Sequence, residues 1–440
     1  MGSSYRTEWW RPDLPGAETD RSEALAPAIS GSAPGSVPFW GLMAFTFILL
    51  IAPQNQFPAL EPLRLGLVTA ALAIASYLLD RFLHWRPLSL WSREIGLAFG
   101  IAGWAILTMP FSSWVGGSVS FFLDVYVKTL AVFWLLANVV DNASRIRKIA
   151  WGLSVMAVPL TVTALNNFFT GYFYDKKTLR IAGYDAGLSE NPNDLAPLLN
   201  LIVPLTVALL LSRRTPMARL SLIAVLGLEV ITILATFSRG GFIVLATILL
   251  VYLWQFRRRR ERKWVWAILL VMTLSVPLFG PAYVSRLATI TDIESDQTGS
   301  AQSRWNDTVT AAGLVLKSPI FGAGIGNNIL ALNEARGDDW SLVHNVYLEH
   351  AVDLGVPALV LFLMLLKGCI RSASNVQKRS DGIPALREVF YFAEAIKVSL
   401  IAFSVAGLFY PVAYHFYFYY FAGLAVALEA VYRAEVSVRP

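Results

Sequence analysis

The stretch "SLVHNVYLEHAVDLGVPALVLFLMLL", Ser341–Leu366, decides how the whole chain is read. Its first ten residues are largely polar and hold two of the four histidines, His344 and His350, whereas the remainder is almost continuous hydrocarbon. From Val346 to Leu366 the run is as long as a helix must be to cross a bilayer, about 20 residues. An imidazole at the mouth of such a helix stands at the level of the lipid headgroups, and what it does there is the question the sequence poses.

Runs of the same kind recur along nearly the whole chain. Its 440 residues are 56% hydrophobic and only 15% charged, with a mean hydropathy of +0.55, too apolar for a water-soluble globule of this size. Each run is bounded by charge, proline or glycine and is too long for the alternating strands of a membrane barrel. The expected fold is therefore all-α, a polytopic membrane protein with about twelve spans. They fall near 39–53, 62–80, 95–110, 122–140, 149–168, 195–211, 219–237, 241–256, 264–281, 346–366, 389–409 and 412–432. Residues 1–38, rich in Pro, Gly, Ser and Ala, read as a disordered cytoplasmic tail before an uncleaved first span. Residues 39–281 then carry nine spans, 282–345 form a large periplasmic loop, and 346–440 hold three spans and a short tail.

The net charge of +6 is explained by topology. With the amino terminus in the cytoplasm, "DRFLHWRPLSLWSRE" (80–94), "DNASRIRK" (141–148), "SRRTPMAR" (212–219), "RRRRERK" (257–263) and "KGCIRSASNVQKRSDGIPALRE" (367–388) all fall on the cytoplasmic side, where basic residues concentrate. Such loops orient helices and meet anionic lipid, so no nucleic-acid partner is expected. The lone Cys369 excludes an intrachain disulfide and any cysteine cluster for metal.

The opposite face carries two long loops, about 169–194 and 282–345, and long loops in compact membrane proteins are where function gathers. In the larger one, Trp305, Val309, Ala312 and Leu316 recur at helical spacing, which predicts a helix lying on the membrane surface or capping the bundle. After it, "SPIFGAGIGNN" (318–328) alternates three glycines but lacks the Gly-Lys-Ser/Thr of a nucleotide loop, and it reads as a tight turn.

Arg180, Arg239 and Arg304 are basic residues on the face that should be poor in them. A guanidinium offers a planar fork of donors suited to phosphate, so the three would clamp a diphosphate at the membrane surface. The plainer alternative is that each snorkels to headgroups or pairs with Asp185, Asp292 or Asp307. That alternative is weakest for Arg239, in the short turn of "ATFSRGGF" between two apolar spans. His344 and His350 lie about 240° apart on a helix, and no zinc site is expected. A neutral imidazole at His344 would suit proton abstraction from a hydroxyl. Asp124 with Lys128, and Glu394 with Lys397, stand at pairing distance within single spans. Glu229 has no local partner, and an intramembrane acid of this kind is the main support for a transporter reading.

Taken in order, "ENPNDLAP" (190–197), "SRGG" (238–241), "RWND" (304–307) with "SPIFGAGIGNN", and "HNVYLEHAVDLGVPAL" (344–359) resemble the O-antigen ligase and polymerase superfamily, most strongly from Arg180 to Leu366. The resemblance implies an inner-membrane glycosyltransferase that moves a glycan from an undecaprenyl diphosphate carrier to an acceptor hydroxyl at the periplasmic face, with no metal or other cofactor. The acceptor would be lipid A core or a second lipid-linked glycan. Carried over to this sequence, His344 is the catalytic residue, and Arg239 and Arg304 lie at the diphosphate. Arg180, Asn193, Asn345, Tyr347 and Trp305 are expected to bind substrate, with Asn345 beside the histidine. A flippase for the same lipid-linked glycans is the competing class; it would bring an internal repeat and a midplane site, and the sequence has no convincing repeat.

Overall fold

The computed structural model describes residues 35–89, 91–175, 180–212, 215–257, 259, 262–263, 266, 268–270, 299–337 and 340–437. Most of the amino-terminal tail, nearly all of the expected ninth span and residues 282–298 of the large loop lie outside the described residues.

Helices account for almost everything else. In order they are α1 (Ser36–Ile51), α2 (Pro53–Gln56), α3 (Leu65–Leu83), α4 (Arg93–Thr108), α5 (Val115–Phe121), α6 (Val127–Val139), α7 (Ala143–Thr170), α8 (Pro192–Ser212), α9 (Pro216–Ala235) and α10 (Arg239–Phe256). After the large loop begin α11 (Ser300–Lys317), α12 (Asn328–Arg336), α13 (Val346–Ser380), α14 (Arg387–Ala406) and α15 (Phe416–Ser437). Every expected span except the ninth coincides with one of these helices, and the chain is an all-α polytopic membrane protein. Among the described residues nine helical segments are long and apolar enough to cross a membrane. The 16-residue α1 is shorter, and α15 is diluted by Tyr417, Tyr419, Tyr420, Glu429 and Arg433.

Burial sorts the spans. In α8, apolar on every side, 94% of the most hydrophobic window is buried, whereas in the span that includes α3 only 11% is. Thus α8 is the central post, packed by α7, α9, α10 and α14, while α3 turns Leu67, Leu72, Leu79 and Phe82 outward toward lipid. Helices α5 and α6 are one continuous rod through a π turn at Phe122–Tyr126.

Three differences from the expected layout matter. The tenth span does not stop near Leu366: α13 continues to Ser380, so most of the basic stretch after it is helix rather than loop. The 169–194 connection contains a small hairpin, β1 (Phe173–Asp175) antiparallel to β2 (Arg180–Ile181). In α11 the stripe of Trp305, Val309 and Leu316 is exposed, while Asp307 and Ala311 are buried in the packed face. The helix is thus amphipathic in both senses, with one face on the protein and an apolar edge left for the membrane surface.

Helix α13 is broken at Gly355, whose φ of 75° and ψ of 177° interrupt the ladder ahead of Pro357. The backbone groups released there are taken up elsewhere, as a buried segment requires. Ala323 N–H donates to the Val352 carbonyl (2.8 Å), Gly324 N–H to that of Asp353 (2.8 Å), the Trp104 indole to that of Leu354 (2.8 Å), and Val356 N–H to that of Pro319 (2.8 Å). The glycine-rich turn read from "GAGIG" is therefore the clamp for this break. A Cβ on Gly355 would lie 2.2 Å from the Ile320 carbonyl oxygen and one on Gly322 2.4 Å from that of Asp353, so both must be glycine.

Candidate active site at the mouth of α13

Three helix N-termini meet where α13 begins. At α8, the Asn191 side chain accepts the Asn193 amide (2.8 Å). At α10, Ser238 Oγ accepts the Gly241 amide (3.3 Å). At α13, Asn345 Oδ1 accepts the amides of Tyr347 (3.0 Å) and Leu348 (3.1 Å). These are ordinary N-caps. Their convergence puts the positive ends of three helix dipoles around one place.

The segment Gly407–Tyr410, just after α14, ties them together. Val346 N–H donates to the Gly407 carbonyl (2.7 Å), and Ser238 Oγ lies 2.9 Å from the Tyr410 hydroxyl and 3.4 Å from Asn193 Oδ1. Arg180, from the hairpin, also donates to Asn193 Oδ1. The "SRGG" glycines permit this closeness: a Cβ at Gly240 would sit 2.9 Å from the Tyr410 hydroxyl, and one at Gly241 2.7 Å from the Ala196 methyl. Phe237, just before the turn, is buried with a φ of 53°, a left-handed conformation that costs a bulky residue about 1–3 kcal/mol. Arg239, half-buried, heads α10, where a cation opposes the dipole unless an anion sits with it.

A second scaffold fixes His344. Asp307 on α11 accepts from Arg336 on α12 and from Ser341 Oγ (2.9 Å), and Asn328 Oδ1 accepts the Val343 amide (3.2 Å). The segment 341–343 is thus pinned on both sides. His344 Nδ1 lies 2.8 Å from the Leu342 carbonyl. A carbonyl only accepts, so Nδ1 carries the proton and Nε2 presents its lone pair. Burial, then the charge of Arg304 from α11, hold the His344 pKa down at about 4, so the ring is neutral at pH 7.

Tyr410 is fully buried, and burial raises its hydroxyl to about pKa 12 against the opposing pull of Ser238, Arg304 and Arg180; the Asp194 carboxyl also acts on it. Tyr410 is thus joined to Arg180 through Ser238 and Asn193, and the charge of Arg304 acts on both Tyr410 and His344.

Residues 220–363, about a third of the chain, match the family model of the O-antigen ligase. By that match this segment is similar to the O-antigen ligase, in keeping with the resemblance to the O-antigen ligase and polymerase superfamily. No curated protein matches it. The O-antigen ligase segment runs from α9 into α13 and contains Ser238, Arg239, Arg304 and His344. It supports an enzyme of ligase or polymerase type, acting in glycan transfer. Arg180 and Asn193 precede the matched ligase segment and Tyr410 follows it, yet the fold brings them to the same place.

The other expected residues have structural duties here. Asn345 caps α13, and the Tyr347 hydroxyl donates to the Ser404 carbonyl (2.7 Å), fastening α13 to α14. Trp305 lies on the exposed stripe of α11, 58% accessible, where an indole suits either a sugar or the headgroup region. Three residues of the candidate site carry no clear signal in the sequence. Ser238 was hidden as the cap within "SRGG", Asp194 as one letter of "NPND", and Tyr410 had no signal beyond the tyrosines of "FYPVAYHFYFYY" (409–420). The buried pairs also differ from the expected ones. Glu394 bonds Arg259 (3.0 Å) while Lys397 donates to Gln377, and Glu229 accepts from Thr206 (2.9 Å) on the neighbouring helix. Asp124 and Lys128 do pair, at 3.6 Å.

Proposed function

We propose that this protein transfers a glycan from an undecaprenyl diphosphate carrier to an acceptor sugar hydroxyl, at the periplasmic side of the bacterial inner membrane. The observation that supports this reading is the gathering of three helix N-termini around Tyr410 and the start of α13, with Arg180 bonded to Asn193, Arg239 heading α10, and Arg304 acting on both Tyr410 and the neutral His344 imidazole. Fixed cations and dipoles favour a diphosphate and the charge it gains on leaving. His344 Nε2 takes the proton of the acceptor hydroxyl as its oxygen bonds to the anomeric carbon. The bond from that carbon to the diphosphate breaks, and the carrier departs with the electron pair. The isoprenoid lies in hydrocarbon along the spans, which puts its diphosphate at headgroup level, where α13 begins.

A pKa of about 4 makes His344 a weak base in the free protein, and the diphosphate changes that. Its negative charge offsets Arg304, one of the two causes of the depression, and brings the imidazole closer to the range suited to proton transfer at neutral pH. The donor thus activates the base that consumes it. Reconstitution with an undecaprenyl diphosphate glycan, offering lipid A core and a second lipid-linked glycan separately, tests the reading and reports the acceptor by product mass. Movement of labelled donor between leaflets with no joined product would overturn it in favour of transport. No step is routed through a metal, and transfer is expected to persist under chelation.

A further inference from the structure

A recess lies at the far ends of the helices that build this site. Helix α10 runs from Arg239 to Phe256, about 27 Å at 1.5 Å per residue. That is close to the hydrocarbon thickness of a bilayer. Just beyond it lie Arg257 and Arg259. There the last turns of α13 and the first turns of α14 leave an opening of about 270 Å³.

Its lining is unbalanced in charge. Arg257, Arg259, Lys378 and Lys397 face it, against Asp381 at its wall and the buried Glu394 behind Arg259. Glu394 also accepts from Gln377 (2.9 Å), and the same Gln377 amide is the hydrogen-bond acceptor for the Lys397 ammonium, a neutral partner for a charged group. Two carboxylates thus answer four cations among the described residues. Gln255 also lines the recess, and its amide oxygen is buried with no hydrogen-bond partner among the described residues. Arg257 stacks over Trp254 at 4.8 Å, and Trp254 and Leu250 are 67% and 65% exposed on the lipid-facing side of α10. A tryptophan under an arginine, with bare hydrocarbon below, marks the headgroup level of a leaflet.

We infer that this cavity binds a phosphate-bearing anion, supplied by the headgroup of an anionic phospholipid in the leaflet opposite the transfer site. Guanidinium forks and an ammonium match phosphate oxygens, and a recess with surplus positive charge concentrates anions. The acyl chains would lie along Leu250 and Trp254. This inference is independent of the transfer reaction.

The test uses full-length protein in nanodiscs of phosphatidylcholine containing a minor share of phosphatidylglycerol, with retained lipid counted by native mass spectrometry. Arg257 and Lys378 are exposed, so the double variant Arg257→Gln, Lys378→Gln leaves the helix packing intact. Retention of phosphatidylglycerol should weaken about fivefold for each basic residue removed. Asp381→Asn should strengthen it, a gain that misfolding cannot imitate. A parallel arm adds inorganic phosphate to protein in detergent and follows its melting. Stabilisation there, lost in the double variant and unaccompanied by selective lipid retention, would keep the anion site and assign it to a soluble phosphate. Equal retention of both lipids by all three proteins, with no response to phosphate, overturns the inference.

Discussion

Two polar segments a few residues apart, Ser341–Asn345 and Glu349–Asp353, reach opposite ends from similar residue types. In the second, Glu349 accepts the Ala413 amide (3.1 Å), and Asp353 accepts the Gly326 amide (3.0 Å) and the Asn328 side chain (3.3 Å). There His350 is fully buried, stacked on Phe362 at 4.2 Å between ring centres. In the first, the scaffold grips Ser341 and Val343 but leaves His344 half-buried, with its Nε2 presented and the charge of Arg304 upon it. Buried polar groups with fixed partners specify a packing arrangement, whereas a group held by its neighbours and left open on one side is available for chemistry.

The sharpest way to break this contrast is His344→Ala. Turnover should fall roughly 10²- to 10⁴-fold, with carrier binding and melting temperature close to those of the parent. A folded variant that still transfers at the parental rate would remove the base from the scheme. Asp353→Ala should do the reverse, costing about 3 kcal/mol of stability by stranding the Gly326 and Asn328 donors, seen as a lower midpoint of unfolding. Parental stability there would mean that the clamp on the Gly355 break does not depend on its carboxylate.

The pH profile separates the segments by a smaller effect. The imidazole must be neutral to act, so kcat/KM should hold as pH falls from 7 and drop only through about pH 4, the value for the free protein. The acid limb of kcat, set by the donor complex, should lie higher, because the diphosphate offsets Arg304. Arg304→Gln removes the same charge and should raise the limb of kcat/KM toward the ordinary histidine value near 6.5, while weakening donor binding. Coincident limbs in the parent would refute activation by the donor. The smallest effect belongs to His350→Phe. His350 Nε2 has no hydrogen-bond partner among the described residues and its ring is stacked, so only the bond from Nδ1 to the Val346 carbonyl is lost. Stability should change by about 1 kcal/mol and transfer hardly at all; a loss like that of His344→Ala would give His350 a chemical role.

Much of this protein was legible in its sequence because the bilayer is a demanding solvent. A span needs about 20 apolar residues, and its backbone must satisfy itself, so hydropathy alone located the described spans and basic loops set their expected orientation. The same economy made Arg239 and His344 conspicuous, since an isolated polar group near hydrocarbon needs a reason. Helix α13 shows where this stops: hydropathy gave its start but not the break at Gly355, which exists because the loop at 319–324 takes up the freed backbone groups. The site has the same split. Asn345 and Tyr347, beside the histidine in sequence, cap α13 and fasten it to α14, while Tyr410, 66 residues on from His344, bonds Ser238 and feels the charges of Arg180 and Arg304. Sequence determined which segments enter the membrane and which charges are out of place there. Only the tertiary structure decided which of those charges share a site, because convergence of helix ends depends on long-range packing around α8 that no local pattern encodes.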